Sequence, residues 1–118
     1  MRKNILVVGG EHEVSSFRSY SNISDAPFGL TYFASDGKDG PGELKEYLGE
    51  FEGLIDAVAT FAADRFRPER KVIAESFKGP VMLFYTPADR KVCDKFIKVI
   101  KVKYPAFLPD LIEAVKKL

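Results

Sequence analysis

One histidine and one cysteine among 118 residues leave a narrow range of side-chain chemistry. Histidine acid–base catalysis has to use His12, with Glu11 or Asp36 as its carboxylate partner. Cys93 shares a helical spacing with Val92, Phe96 and Ile97, which predicts a small buried thiol in mid-helix, away from His12. A lone cysteine forms no internal disulfide and suits a reducing cytoplasm. One His and one Cys supply no metal-ligand spacing, so neither a metal site nor a cofactor is expected. The backbone offers a further possibility at Gly9-Gly10, where the N–H groups at the head of a following helix would face an anion. That pair lacks the three-glycine dinucleotide spacing, and no phosphate-binding loop with Gly-Lys-Ser/Thr is present.

The elements that must position these groups alternate along the chain. Ile5-Leu6-Val7-Val8 is an unbroken β-favouring apolar run ending at the glycine pair, the pattern of a parallel strand covered on both faces. Val14, Phe17 and Tyr20 predict a helix from about Glu13 to Asn22, and Ser21 to Gly29 reads as a loop. Leu30 to Ala34 is the second strand. Pro41 opens a helix with Leu44, Tyr47, Leu48 and Phe51 on one stripe, ended by Gly53. A third strand is expected over Leu54 to Phe61, then a helix from Pro68 with Val72, Ile73 and Phe77 inward. Val81 to Tyr85 is the fourth strand, and Thr86-Pro87-Ala88-Asp89 turns into a fourth helix carrying Val92 to Ile97. Lys98 to Lys103 alternates as an edge strand, and Pro109 opens a last helix with Leu111, Ile112, Val115 and Leu118 inward.

Five strand–helix alternations with right-handed crossovers make residues 1–118 one α/β domain. The expected architecture is a three-layer sandwich around a five-stranded parallel sheet in the order 2-1-3-4-5, a flavodoxin-like fold. In such a sheet the loops after the strands converge on one rim, gathering Gly9, Gly10, Glu11, His12, Asp36, Asp64, Arg65, Thr86, Asp89 and Lys103.

Charge is unevenly placed although the net value is only +1. From Asp89 onward eight Lys/Arg stand against four Asp/Glu, whereas ten stand against thirteen before it. Lys91, Lys95, Lys98 and Lys101 are therefore expected to form a partner-binding face on helix four, strand five and helix five. No aromatic residues interleave with them for base stacking, so the expected partner is a protein rather than a nucleic acid, and a homodimer stays open. No apolar run approaches the roughly 20 residues that span a bilayer, and the four after the basic opening are too few for a secretory signal.

In order and length the chain resembles the CheY-like receiver domains of response regulators. Ile-Leu-Val-Val-Gly-Gly-Glu resembles their opening, Thr86 their hydroxyl-bearing residue after strand four, and Lys103 near Pro105 their Lys-Pro after strand five. Leu108 to Leu118 resembles their closing helix. The resemblance implies a phosphate taken from a histidine kinase onto an aspartate at the end of strand three, with Mg²⁺ held by two acidic residues. Here that pair is Gly9-Gly10, which offers no carboxylate to a hard cation. Asp64, with Pro68 four residues on, and Asp56, early in strand three, are the candidate phospho-acceptors. The interval from Thr86 to Lys103 is shorter than in that family. The resemblance thus implies a degenerate receiver, a non-enzymatic signalling module that works by protein contact. A second likeness, over Ile5 to Tyr85, is to small uncharacterised Rossmann-like domains. It implies a nucleotide or other anionic small molecule at Gly9, Gly10 and Asp36.

Overall fold

A computed structural model describes residues 2–20, 26–89, 91–92 and 94–118. Strands β1 (Lys3–Gly9), β2 (Phe28–Ala34), β3 (Ala57–Phe61), β4 (Pro80–Tyr85) and β5 (Lys98–Lys103) form one sheet. Its order is β2-β1-β3-β4-β5, and every adjacent pair is parallel. Helices α1 (Glu11–Ser15), α2 (Gly40–Phe51), α3 (Arg67–Ser76) and α4 (Leu108–Val115) cover it.

The period-2 geometry of a strand explains why β1 reads as an unbroken apolar run. Ile5 and Val7 face a core shared with Val14, Phe17 and, from α4, Leu111, Ala114 and Val115. Leu6 and Val8 face the opposite layer, packing with Leu44 and Leu48 of α2, Ile73 of α3 and Phe77. Both faces are dry, so alternation disappears. The Thr60 hydroxyl, fully buried in β3, donates to the Val8 carbonyl at 3.0 Å, which satisfies the one polar side chain of that strand. On the first layer the rings of Phe17, Phe61, Phe84 and Tyr104 interlock, with Phe17 stacked 5.0 Å from Phe84.

Local structure departs from the periodicity in four places. The first helix ends at Ser15 and is followed by a 3₁₀ turn over Arg18–Tyr20, where a continuous helix from Glu13 was expected; its expected end at Asn22 lies outside the described residues. The Ser16 hydroxyl bonds back to the Glu13 carbonyl at 2.7 Å, competing with helix propagation while Phe17 drops into the core. Strand two begins at Phe28, within the expected loop. Strand three begins at Ala57, because Glu52–Leu54 forms a 3₁₀ turn that leaves Leu54 exposed; Gly53 lies inside that turn.

The largest departure is the fourth helix. The described residues between Thr86 and Ile97 form no helix. A parallel crossover needs about a dozen residues, and this segment has only that many to leave one strand and enter the next. Tertiary contacts hold it instead: Arg70 grips Asp94, and Phe96 packs on the Leu6–Ile73 layer. Cys93, expected on that helix, lies outside the described residues. Among the described residues, no helix is long and apolar enough to cross a membrane.

Candidate functional site

The rim at the trailing ends of the strands is filled by the chain's own groups. A Cβ on Gly9 would lie 2.8 Å from Cε2 of Phe61, and one on Gly10 2.7 Å from a carboxylate oxygen of Glu13. The glycine pair is therefore required by close packing, and the room that side chains at 9 and 10 would need is already taken. The Asp36 carboxylate accepts the Glu11 backbone N–H at 3.1 Å. This corrects the expected anion cradle: the head of α1 is met by an internal carboxylate, and that helix is only five residues long.

Glu13, 7% exposed, pairs with Arg65, whose guanidinium lies 4.7 Å over the Phe66 ring. Glu11 pairs with Arg18 at 3.0 Å and accepts from the Ser15 hydroxyl, so neither Glu11 nor Asp36 is engaged with the exposed His12. Among the described residues no group of three His, Cys, Asp or Glu side chains gathers closely enough to hold a metal ion.

The phospho-acceptor candidates lie far apart in the fold. Asp56 precedes β3 and accepts the Asn4 N–H at 2.7 Å, beside the start of β1. That is the leading end of the strands, opposite Thr86; Asp56, expected early in strand three, stands just before it. Asp64 opens a 3₁₀ turn after β3, about half exposed, with Arg67 at 3.6 Å. At Thr86 the backbone N–H donates to the Asp89 carboxylate at 2.7 Å, closing the turn after β4. Thr86 and Asp89 border a cleft of about 190 Å³ with Glu13, Arg65, Phe61 and Tyr104. Lys103 is not part of it. Its register opposite Tyr85 puts it on the other face of the sheet, and Tyr104 takes the inward place next to Pro105.

The structure also splits the expected lysine face. In β5, Lys98, Ile100 and Val102 point towards α4, and the Lys98 ammonium donates to the Lys117 carbonyl at 2.6 Å. Val99, Lys101 and Lys103 point the opposite way, in register with Val81, Leu83 and Tyr85 of β4. Lys91 and Lys95 are exposed on a non-helical segment. Lys98 therefore sits on a different face from Lys101, which corrects the single four-lysine surface.

On the face of β4 and β5 that carries Leu83, Tyr85, Val99 and Lys101 the cover is partial: Val81 packs with Ile73 of α3, while apolar surface further out is exposed. Ile97 is 71% exposed, Val99 42% and Tyr85 37%. Between these strands and residues 86–89 and 91–92 runs a groove of about 380 Å³ lined by Leu83, Tyr85, Val92, Thr86, Lys91 and Lys101. Arg70 holds the later part of the β4–β5 connection, at Asp94. Only 3% exposed, it donates to the Phe61 and Ala63 carbonyls at 2.8 and 2.7 Å and to Asp94 at 2.9 Å. Its place one turn before the inward Ile73 was the one sequence signal of this role. Next to it, burial pushes the Glu69 carboxyl above its ordinary range, only partly offset by its own backbone N–H and the Arg70 charge.

No protein-family model matches the chain, and no curated protein matches it. Among solved structures it is similar to a protein of Burkholderia thailandensis assigned to pilus assembly, CpaE. The two are 13% identical with a TM-score of 0.59, over 98% of this chain and 96% of that one. At that identity the likeness establishes the fold, an all-parallel five-stranded flavodoxin-like sheet flanked by helices.

Proposed function

We propose that this chain is a receiver-like signalling module that acts by protein–protein contact through the outer face of β4 and β5, without aspartyl phosphotransfer of its own. One observation carries the reading: Tyr85, Ile97 and Val99 expose apolar surface where a crossover helix would normally cover a parallel sheet. Lysines border that surface, which favours a protein partner with acidic groups. The rim supports the second half of the proposal. Side chains at positions 9 and 10 would collide with Phe61 and Glu13, and Asp64 pairs with Arg67 rather than bordering the cleft beside Thr86. In this reading the protein is no enzyme and meets another cytoplasmic signalling protein.

The test is recovery of partners from native extract by the wild-type chain and by Val99→Glu, an exposed substitution that leaves both cores intact. Loss of the specifically recovered proteins with Val99→Glu is expected. A recovered set that is the same for both chains would end the reading.

A further inference from the structure

We infer that the groove lined by Leu83, Tyr85, Val92 and Lys101 seats an acidic amphipathic segment of a partner protein, one apolar side chain entering over Leu83 and flanking carboxylates meeting Lys101 and Lys103. The inference rests on the contact reading above and specifies what makes the contact.

The groove supplies both halves of such a site. Its floor is apolar, with Leu83 3% exposed and Val92 and Tyr85 forming walls. Its volume of about 380 Å³ falls within the range of sites that enclose a ligand group. The lip is cationic. Lys101 lines the groove, Lys103 follows on the same face of β5, and Lys91 stands across from them. Asp89 is the acidic residue of the lining, and its carboxylate already accepts the Thr86 N–H at 2.7 Å. A basic lip around an apolar floor selects an apolar anchor flanked by Asp or Glu, with the charges setting orientation and on-rate and the anchor contributing burial.

Charge also argues against a second copy of this chain as occupant. β5 is the open edge of the sheet, and Lys101 and Lys103, which share one of its faces, would meet the same lysines in a two-fold pairing. Like charges across paired strands are destabilising, and edge lysines are a common defence against such pairing. An acidic segment meets no such repulsion.

The probes are three: a synthetic amphipathic peptide of Leu and Glu at helical spacing, its counterpart with Lys for every Glu, and a single-stranded oligonucleotide. Binding to the ¹⁵N-labelled chain is followed by amide shifts and by anisotropy of labelled probes. The Leu/Glu peptide is expected to shift Leu83, Tyr85, Val99 and Lys101. Lys101→Glu should weaken it by about tenfold or more, while Lys101→Arg retains it. Raising the salt to about 0.5 M should weaken it as well. Circular dichroism of Lys101→Glu checks that this exposed substitution leaves the fold intact.

Three outcomes overturn the inference. They are no shift in the groove at about 1 mM Leu/Glu peptide, equal binding of the Lys peptide, or groove binding by the oligonucleotide as tight as by the Leu/Glu peptide. The contact reading would still stand if Val99→Glu had lost the recovered partners. If Val99→Glu keeps them all while the Leu/Glu peptide binds the groove, the contact reading falls and the groove's chemistry does not.

Discussion

Replacing Arg70 with methionine removes the group that ties three parts of the chain together. The guanidinium serves the Phe61 and Ala63 carbonyls after β3 and the Asp94 carboxylate in the β4–β5 connection. Methionine fills similar space without donors. The Phe61 carbonyl is buried and would stay dry, at about 2 kcal/mol, while half-buried Ala63 admits water and loses less. The contact with Asp94, whose side chain is 17% exposed, adds about 1–2 kcal/mol as a charge-assisted bond. Together these give a loss of about 3–4 kcal/mol, within the range for breaking a buried pair. Asp94→Asn keeps an acceptor and leaves both carbonyl bonds in place, so its loss should be about 1 kcal/mol. Urea unfolding followed by far-UV circular dichroism measures both, since the chain has no tryptophan. A double-mutant cycle should give a coupling of about 1–2 kcal/mol, and amide exchange should speed up over residues 91–97 in both variants. A loss below about 1 kcal/mol for Arg70→Met, or strict additivity with Asp94→Asn, would refute the role assigned to Arg70.

Three further outcomes are expected. Gly9→Ala should destabilise by about 1–3 kcal/mol, because its methyl group meets the Phe61 ring. Gly10→Ala should lose less, since it meets the flexible end of Glu13; the reverse ranking in urea would contradict the packing account. Glu69→Gln should stabilise the protein at neutral pH. The folded Glu69 holds its proton more tightly than its ordinary value of 4.5. Wild type therefore loses stability relative to the variant as pH rises from 4.5 through the folded value, and the gap is constant above it. A gap that closes with rising pH would be the wrong sign. Beryllofluoride with Mg²⁺ should leave the amide signals of Asp64 and Thr86 unmoved; a concerted shift at both would show that the rim still works as a phosphate site.

Much of the fold is legible in the order of residues, because strand and helix periods are local. Ile5 to Val8 and Val81 to Tyr85 show no alternation, the pattern of a sheet dry on both faces, and the turn residues between the elements give the α/β rhythm. Right-handed crossovers then leave few topologies, and 2-1-3-4-5 is the one adopted. The short interval from Thr86 to Lys103 was the local sign that a crossover helix would not fit. The side-chain spacing of Val92, Phe96 and Ile97 pointed the other way.

What only the three-dimensional packing decides is which side chain meets which. A strand's period of two sends Lys98 to α4 and Lys101 to the outer face, so neighbours in sequence become strangers in space. Asp36 reaches the Glu11 N–H, and Arg70 reaches Asp94, across separations of 25 and 24 residues. Composition and spacing carry no trace of such pairings, because their energy comes from burial and geometry assembled by the whole fold. The strand order implies a rim, but which side chains fill it follows only from the packing. The exposed β4–β5 face became visible only once the connection above it was seen to be held down by Arg70 rather than coiled into a helix.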